Sequence, residues 1–326
     1  MLSVHITAPS RLHFGLWSLG DGPHRQFGGV GAMIDRPQLR LSIAEGQQLK
    51  AEGQNAERAI AFANRWAEFH RRSMPRCHIQ IASAIPSHAG LGSGTQLALS
   101  IAAGLSAFYD LPNQSPQELA LSVGRALRSA VGTYGFAFGG LIVEQGKLPD
   151  EPISPLDCRL DLPDDWRFVL VRPRGLSGLA AADEIEAFAS LPAVPQRVTE
   201  QLIVLVRERL VPAAATADFD LLSESLYQYG RLSGECFAAR QGGAFNGPLL
   251  TSIIEQIRDS GHAGVGQSSW GPTIFIASPS QHAAEQLIAD LQSRLDACAL
   301  DLVIAPPNNC GVQIEVSGIG ELAARR

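Results

Sequence analysis

Lysine is almost missing from this chain. Of its 326 residues 26 are basic, and all but Lys50 and Lys147 are arginine. Lys50 lies in Gln-Gln-Leu-Lys-Ala-Glu-Gly and Lys147 in Gln-Gly-Lys-Leu-Pro, so neither completes a Gly-x-x-x-x-Gly-Lys-Ser/Thr phosphate loop. That excludes a Walker-type nucleotide hydrolase, and the polar, turn-like setting of both lysines speaks against a pyridoxal Schiff base. Charge is scarce too: 18% of residues carry it, against roughly 25% in an average soluble protein. The net charge of −6 argues against a nucleic-acid partner, because phosphate-backbone affinity needs concentrated Lys and Arg. Arg65, Arg71, Arg72 and Arg76, at the end of a helix-like stretch, read as a solvated face.

Paired cysteines are lacking as well. Cys77, Cys158, Cys236, Cys298 and Cys310 form no Cys-x-x-Cys motif, and an odd number suggests free thiols in a reducing compartment. The eight histidines contain no His-x-x-x-His or His-Glu-x-x-His arrangement, so no dedicated zinc site is expected. No apolar run approaches the roughly 18 residues that span a bilayer, and the N-terminus lacks the charged and apolar regions of a signal peptide. The expectation is a cytoplasmic protein with no membrane partner.

What is present points to an α+β chain of two domains. Residues 3–8, 39–45, 77–83 and 139–145 alternate or are β-branched and predict strands, while 56–72, 94–109 and 116–130 carry apolar residues at helical spacing. Ser115-Pro116 with Glu118 marks a helix start. Clustered prolines and acids over 146–165 place a junction there, giving domains 1–160 and 161–326. The second half reads as a strand at 167–172, helices at 196–211, 218–239, 248–260 and 280–297, and strands at 273–277, 300–305 and 311–316.

Three segments carry chemistry. Residues 85–100 place a glycine-rich turn between a strand and an apolar helix: Pro86, Gly90, Leu91, Gly92, Ser93, Gly94, Thr95 and Gln96. A helix N-terminus offers unpaired amides and about half a positive charge to an anion, and glycines let the backbone approach it. Near the start, Arg11 and His13 fall two apart on an extended segment and so share a face. Late in the chain, residues 264–272 form a second Gly- and Ser-rich loop with Ser268, Ser269 and Gly271. Each has a plainer reading. Arg11 suits substrate contact or a structural ion pair, His13 a site or the core, and Ser268 and Ser269 a site or a turn cap. Arg125 and Arg128, three apart, share one face of a helix and read as solvated surface, with Arg125 kept as a phosphate candidate.

In order and spacing these segments resemble the GHMP superfamily. Ser10-Arg-Leu-His-Phe-Gly-Leu16, Phe27-Gly-Gly-Val-Gly31 with Gly28 and Gly29, Gly90-Leu-Gly-Ser-Gly-Thr-Gln96, Gln267-Ser-Ser-Trp-Gly-Pro-Thr273 and Asn308-Asn-Cys-Gly311 are similar to its β-ribofuranosylaminobenzene 5′-phosphate synthase branch. The resemblance implies a GHMP α/β N-terminal domain against a ferredoxin-like C-terminal domain, and a homodimer. It also implies decarboxylating transfer of phosphoribose from 5-phosphoribosyl 1-diphosphate to 4-aminobenzoate or 4-hydroxybenzoate, in tetrahydromethanopterin biosynthesis. Under it, Arg11 and His13 contact substrate and Gly28, Gly29, Arg125 and the two loops bind phosphate. Magnesium is expected on the substrate diphosphate; its protein ligands are not identifiable.

An ordinary kinase of the superfamily fits less well. Such kinases carry a second serine where Gly94 stands, and an acidic metal ligand and base further on, yet residues 119–143 contain no Asp or Glu. Without that carboxylate a kinase lacks a base for the attacking hydroxyl. Two alternatives stay open: an ATP-dependent kinase using Asp35 or Glu144, and a silent relative that binds a phosphorylated metabolite.

Overall fold

Both N-terminal strands run well beyond the alternating stretches that announce them. In the computed structural model, which describes residues 2–20, 24–178, 181–294 and 299–318, β1 (Ser3–Ser18) and β2 (Phe27–Glu45) form one long bent hairpin. There follow β3 (Lys50–Glu52), α1 (Ala56–Phe69), β4 (Cys77–Ser83), α2 (Ser93–Phe108), α3 (Pro116–Ser122), α4 (Val131–Phe138), β5 (Leu141–Glu144) and β6 (Leu156–Leu160). After β7 (Arg167–Pro173) come α5 (Ala181–Ser190), α6 (Gln196–Leu205), a π-helical turn (Val206–Leu210), α7 (Val211–Ala215) and α8 (Phe219–Glu235). The chain closes with α9 (Ala238–Gln241), α10 (Gly247–Asp259), β8 (Val265–Gln267), β9 (Ile274–Ser278), α11 (Gln281–Arg294), β10 (Leu300–Ala305) and β11 (Gln313–Ser317).

Two sheets result. The first is ordered β11-β1-β2-β4-β3, with β5 pairing β2 and β6; the second is antiparallel, β10-β7-β9-β8. The last strand, expected to close the C-terminal half, therefore crosses back to pair with β1, Ser3 opposite Ser317. The first half of β1 alternates, but beyond Ala8 most of its residues are buried whichever way they point. The second sheet and α8 cover its other face. Phe14 packs at 4.9 Å from the Phe275 ring and 6.5 Å from Phe168, and Tyr229 and Ser233 of α8 donate hydrogen bonds to the carbonyls of Gly15 and Leu16. A strand buried on both faces loses its polar alternation, which is why only its first six residues are readable in sequence.

The helix expected over 116–130 starts as predicted and stops early. Ser115 and Glu118 form a reciprocal capping box with Pro116 in the first turn, satisfying amides that the helix cannot pair itself. The helix ends at Ser122, and the chain then passes through positive φ at Gly124 (66°) and Ala126 (61°). Arg125 and Arg128 are thus on an irregular turn, not one helix face. Residues 131–138, which carry no element signal in the sequence, form α4, buried at its first six positions.

Candidate active site

A cleft of about 320 Å³ opens between the two sheets, at the lower end of the range for small-molecule sites. Its floor is the first turn of α2. Gly92 caps this helix at φ 75° and brings no side chain to its leading amides; the Thr95 and Gln96 amides bond the Gly92 carbonyl, and those of Ser93 and Gly94 are the ones that can face a ligand. Three guanidinium groups converge there. A Cβ placed on Gly92 would lie 3.2 Å from Nε of Arg11, and one on Gly94 would lie 2.7 Å from Nη2 of Arg58 and 3.3 Å from Nη2 of Arg125. The Arg125 guanidinium also stacks 4.9 Å above the Phe62 ring of α1. Arg128 joins the wall further out, 4.3 Å above the ring of Phe188.

Among the described residues the cleft wall carries Arg11, Arg58, Arg125, Arg128, His13 and His88, and neither aspartate nor glutamate. Guanidinium forks and helix-end amides suit phosphate oxygens. Magnesium would find only the hydroxyls of Ser93 and Thr95 on this floor, and no group of three or more His, Cys, Asp or Glu able to hold a metal occurs among the described residues. That donor set fits an ion carried in by a diphosphate, which needs few protein ligands.

The opposite wall is aromatic. Trp270 meets Phe237 at 5.0 Å and Phe188 at 5.7 Å, and Phe188 meets Phe237 at 6.0 Å, all nearly perpendicular. The three rings pack with Leu16, Leu19 and Ala187 into a small apolar cluster, and each lines the cleft. The loop bearing Trp270 is pinned: Asn246 Nδ2 donates to the Trp270 carbonyl at 2.8 Å, and Gln267 Nε2 to that of Ser269 at 2.8 Å.

His13 lines the cleft behind Arg11 and is 5% exposed. Its Nε2 lies 3.1 Å from Ser129 Oγ, which donates at 2.6 Å to Oε1 of Glu144. The Ala130 amide donates to Oε2 at 2.7 Å. Glu144 is fully buried; burial raises its pKa, and the hydrogen bonds from Ser129, Ala130, Ser154 and Val131 work against that rise. Burial, seconded by the Arg11 charge, holds the His13 pKa well below its ordinary value.

The predicted residues divide into two sets. Arg11, His13, Gly90, Gly92, Ser93, Gly94, Thr95, Arg125, Ser269 and Gly271 line the cleft. Pro86, Leu91, Gln96, Gly28, Gly29 and Ser268 do not, and five of these six have visible structural work. Leu91 accepts from the Arg11 amide at 3.0 Å, and Gln96 Nε2 donates to the Gly132 carbonyl. A Cβ on Gly28 would strike the Trp17 indole at 2.1 Å, and one on Gly29 the Gly15 carbonyl at 2.3 Å. Ser268, fully buried, accepts from the His13 amide at 3.0 Å and donates to the Gly90 carbonyl at 2.7 Å. It clasps β1, the α2 turn and the late loop together. Asp35 and Glu144, the carboxylates available to a kinase, are both off the wall, Asp35 accepting from Asn308 Nδ2. Sequence reasoning missed Arg58, Ser129 and the aromatic wall. Arg58 sits in an ordinary amphipathic helix, and nothing in sequence distinguishes it from a surface arginine; the Trp of Ser-Ser-Trp-Gly-Pro was the one visible sign of the aromatics.

Comparison with known proteins agrees with this architecture. Residues 56–140 match the GHMP kinases N terminal domain and residues 210–297 the GHMP kinases C terminal family. Beta-ribofuranosylphenol 5′-phosphate synthase of Methanothermobacter thermautotrophicus is 30% identical, over 84% of this chain and 88% of that protein. The protein of the same name from Archaeoglobus fulgidus is 29% identical over 96% of this chain and all of its own length. Among solved structures, mevalonate diphosphate decarboxylase from Staphylococcus aureus superposes with a TM-score of 0.67 at 13% identity, covering 97% of this chain and 98% of that one. Homoserine kinase from Cytophaga hutchinsonii does so with 0.64 at 16% identity, covering 96% and 97%. With a two-sheet GHMP fold and relatives along nearly its whole length, the chain belongs to the GHMP superfamily, in the branch of the β-ribofuranosylphenol 5′-phosphate synthases.

Proposed function

We propose that this protein transfers the 5-phosphoribosyl group of 5-phosphoribosyl 1-diphosphate to the carboxylate-bearing carbon of 4-hydroxybenzoate or 4-aminobenzoate, releasing CO2 and diphosphate. The carrying observation is the convergence of the Arg11, Arg58 and Arg125 guanidinium groups on the N-terminus of α2. As the C1–O bond of the donor breaks, charge concentrates on the departing diphosphate, and Arg11, Arg58, Arg125 and the leading amides of α2 stabilise it where it develops. Magnesium, when bound on the diphosphate, supplies further charge neutralisation. The aromatic wall of Trp270, Phe237 and Phe188 takes the acceptor ring, and its orientation against the ribose supplies the entropic part of the acceleration. The ring carbon attacks, and loss of CO2 returns its electron pair to the ring. The names of the relatives, which specify a ribofuranosylphenol phosphate, support this reading.

Incubation with the phosphoribosyl donor, magnesium and either benzoate should release CO2 and diphosphate one for one, without ATP. ATP consumption without diphosphate release would instead establish a kinase. Absence of both turnovers, with diphosphate still raising the melting temperature, would establish a silent binder.

A further inference from the structure

We propose that His13 is the base that takes the proton from the para hydroxyl of a phenolic acceptor, and that Ser129 and Glu144 are positioning residues that fix the imidazole in the tautomer this requires. The proposal rests on the function proposed above and assigns a proton path to it. Both oxygens of the buried Glu144 carboxylate accept hydrogen bonds, Oε1 from Ser129 Oγ and Oε2 from the Ala130 amide. With Glu144 ionised, the one hydroxyl proton of Ser129 is committed to it. The Ser129 oxygen also accepts from the Val131 amide at 3.3 Å and turns its remaining acceptor capacity to His13 Nε2, 3.1 Å away. A ring nitrogen facing a lone pair must carry hydrogen, so His13 is the Nε2–H tautomer and Nδ1 holds the free pair.

Nδ1 has no hydrogen-bond partner among the described residues, in a side chain that lines the cleft. The backbone on either side is clamped, the His13 amide to Ser268 Oγ and its carbonyl to the Ser269 amide at 2.9 Å. Burial and the Arg11 charge hold the resting ring neutral, which leaves the Nδ1 pair unprotonated before the reaction. When it does, the new imidazolium faces Glu144 through Ser129, as in other base–orienter pairs.

The step balances. The phenol O–H bond breaks and Nδ1–H forms. The oxygen pair drives the para ring carbon onto C1 of the ribose, and the C1–O pair departs with diphosphate. The bond to CO2 then breaks, its pair restores aromaticity, and Nδ1–H returns its proton to the phenolate. An arylamine needs no such base, because its nitrogen donates a lone pair and keeps its hydrogens throughout.

The test compares turnover of wild type, His13→Asn, Ser129→Ala and Glu144→Gln with 4-hydroxybenzoate, 4-aminobenzoate and 3,5-difluoro-4-hydroxybenzoate, whose hydroxyl is far more acidic. For each variant the deficit with 4-hydroxybenzoate should exceed that with the amine at least about tenfold, general-base contributions being roughly 10²–10⁴-fold. The deficit should shrink by about tenfold with the difluorophenol. Diphosphate affinity, read by calorimetry, should be unchanged. Equal deficits with all three acceptors would make the chain merely structural and overturn the proposal. CO2 release from wild type with any acceptor keeps the parent function standing in that case, and its complete absence removes both. If Glu144→Gln does not fold, Ser129→Ala alone decides.

Discussion

Gly94 tests the anion floor better than Gly92. A Cβ on Gly94 meets nothing rigid; its nearest neighbours are the guanidinium tips of Arg58 and Arg125. The residue lies within the first turn of α2 at ordinary helical φ, where Ala for Gly stabilises by up to about 1 kcal/mol. Gly94→Ala should therefore leave the melting temperature unchanged or raise it while weakening diphosphate binding about tenfold, since a charge-assisted hydrogen bond is worth about 1.5–3 kcal/mol. Calorimetric titration with diphosphate beside a thermal scan reads both; an unchanged affinity would show that the forks over Gly94 do not hold the anion. Gly92, at φ 75° with Arg11 Cβ at 3.2 Å, would confound the two effects, because any side chain there strains the backbone as well. The sequence showed the glycines and Arg11 but gave them one common purpose. The structure separates them: Gly90 and Gly28 make room for Ser268 and Trp17, and Gly94 for the arginine forks.

At the level of elements, legibility followed how each segment is covered. α1 and α10 sit where apolar spacing put them, because each buries one face, and α2 does so as an apolar helix buried on nearly all sides. The break after Ser122 was illegible for the same reason: Val123 and Ala126 are buried and keep the helical spacing going, although Leu127 is 65% exposed and the backbone has left the helix. That break delivers Arg125, Arg128 and Ser129 to the cleft. The two readings predict opposite signs for Gly124→Ala. In a continuous helix the change stabilises by about 0.5–1 kcal/mol. In the observed turn, with φ at 66° and only Arg65 Nη1 near the new Cβ at 3.4 Å, left-handed strain destabilises by about 1–2 kcal/mol. Denaturant unfolding of the variant gives the sign directly. Destabilisation is expected, accompanied by weaker diphosphate binding as the turn carrying Arg125 shifts.

For the whole molecule, the two sheets divide the labour across one cleft. The arginine-lined floor comes from α2, β1, α1 and the turn after α3, whereas Trp270 and Phe237 belong to the second half of the chain. No local motif states that division, because it depends on Phe14 packing against Phe168 and Phe275 and on Ser268 reaching across to Gly90 and His13. The two halves should accordingly be separable by mutation. Trp270→Leu removes a large face from the aromatic wall, while Asn246 and Gln267 still hold the loop by its backbone carbonyls. The Ser268 clasp is untouched, so the α2 floor keeps its shape. The expected outcome is a rise of at least about tenfold in the KM for the aromatic acid, in line with loss of one aromatic contact of about 0.5–1.5 kcal/mol plus the buried area it covers. Diphosphate affinity should stay within about twofold, since no charge-assisted bond of roughly 1.5–3 kcal/mol is lost. Steady-state kinetics varying each substrate in turn distinguishes the cases: a parallel loss of donor and acceptor affinity would mean that the aromatic wall supports the floor and does not seat the acceptor ring.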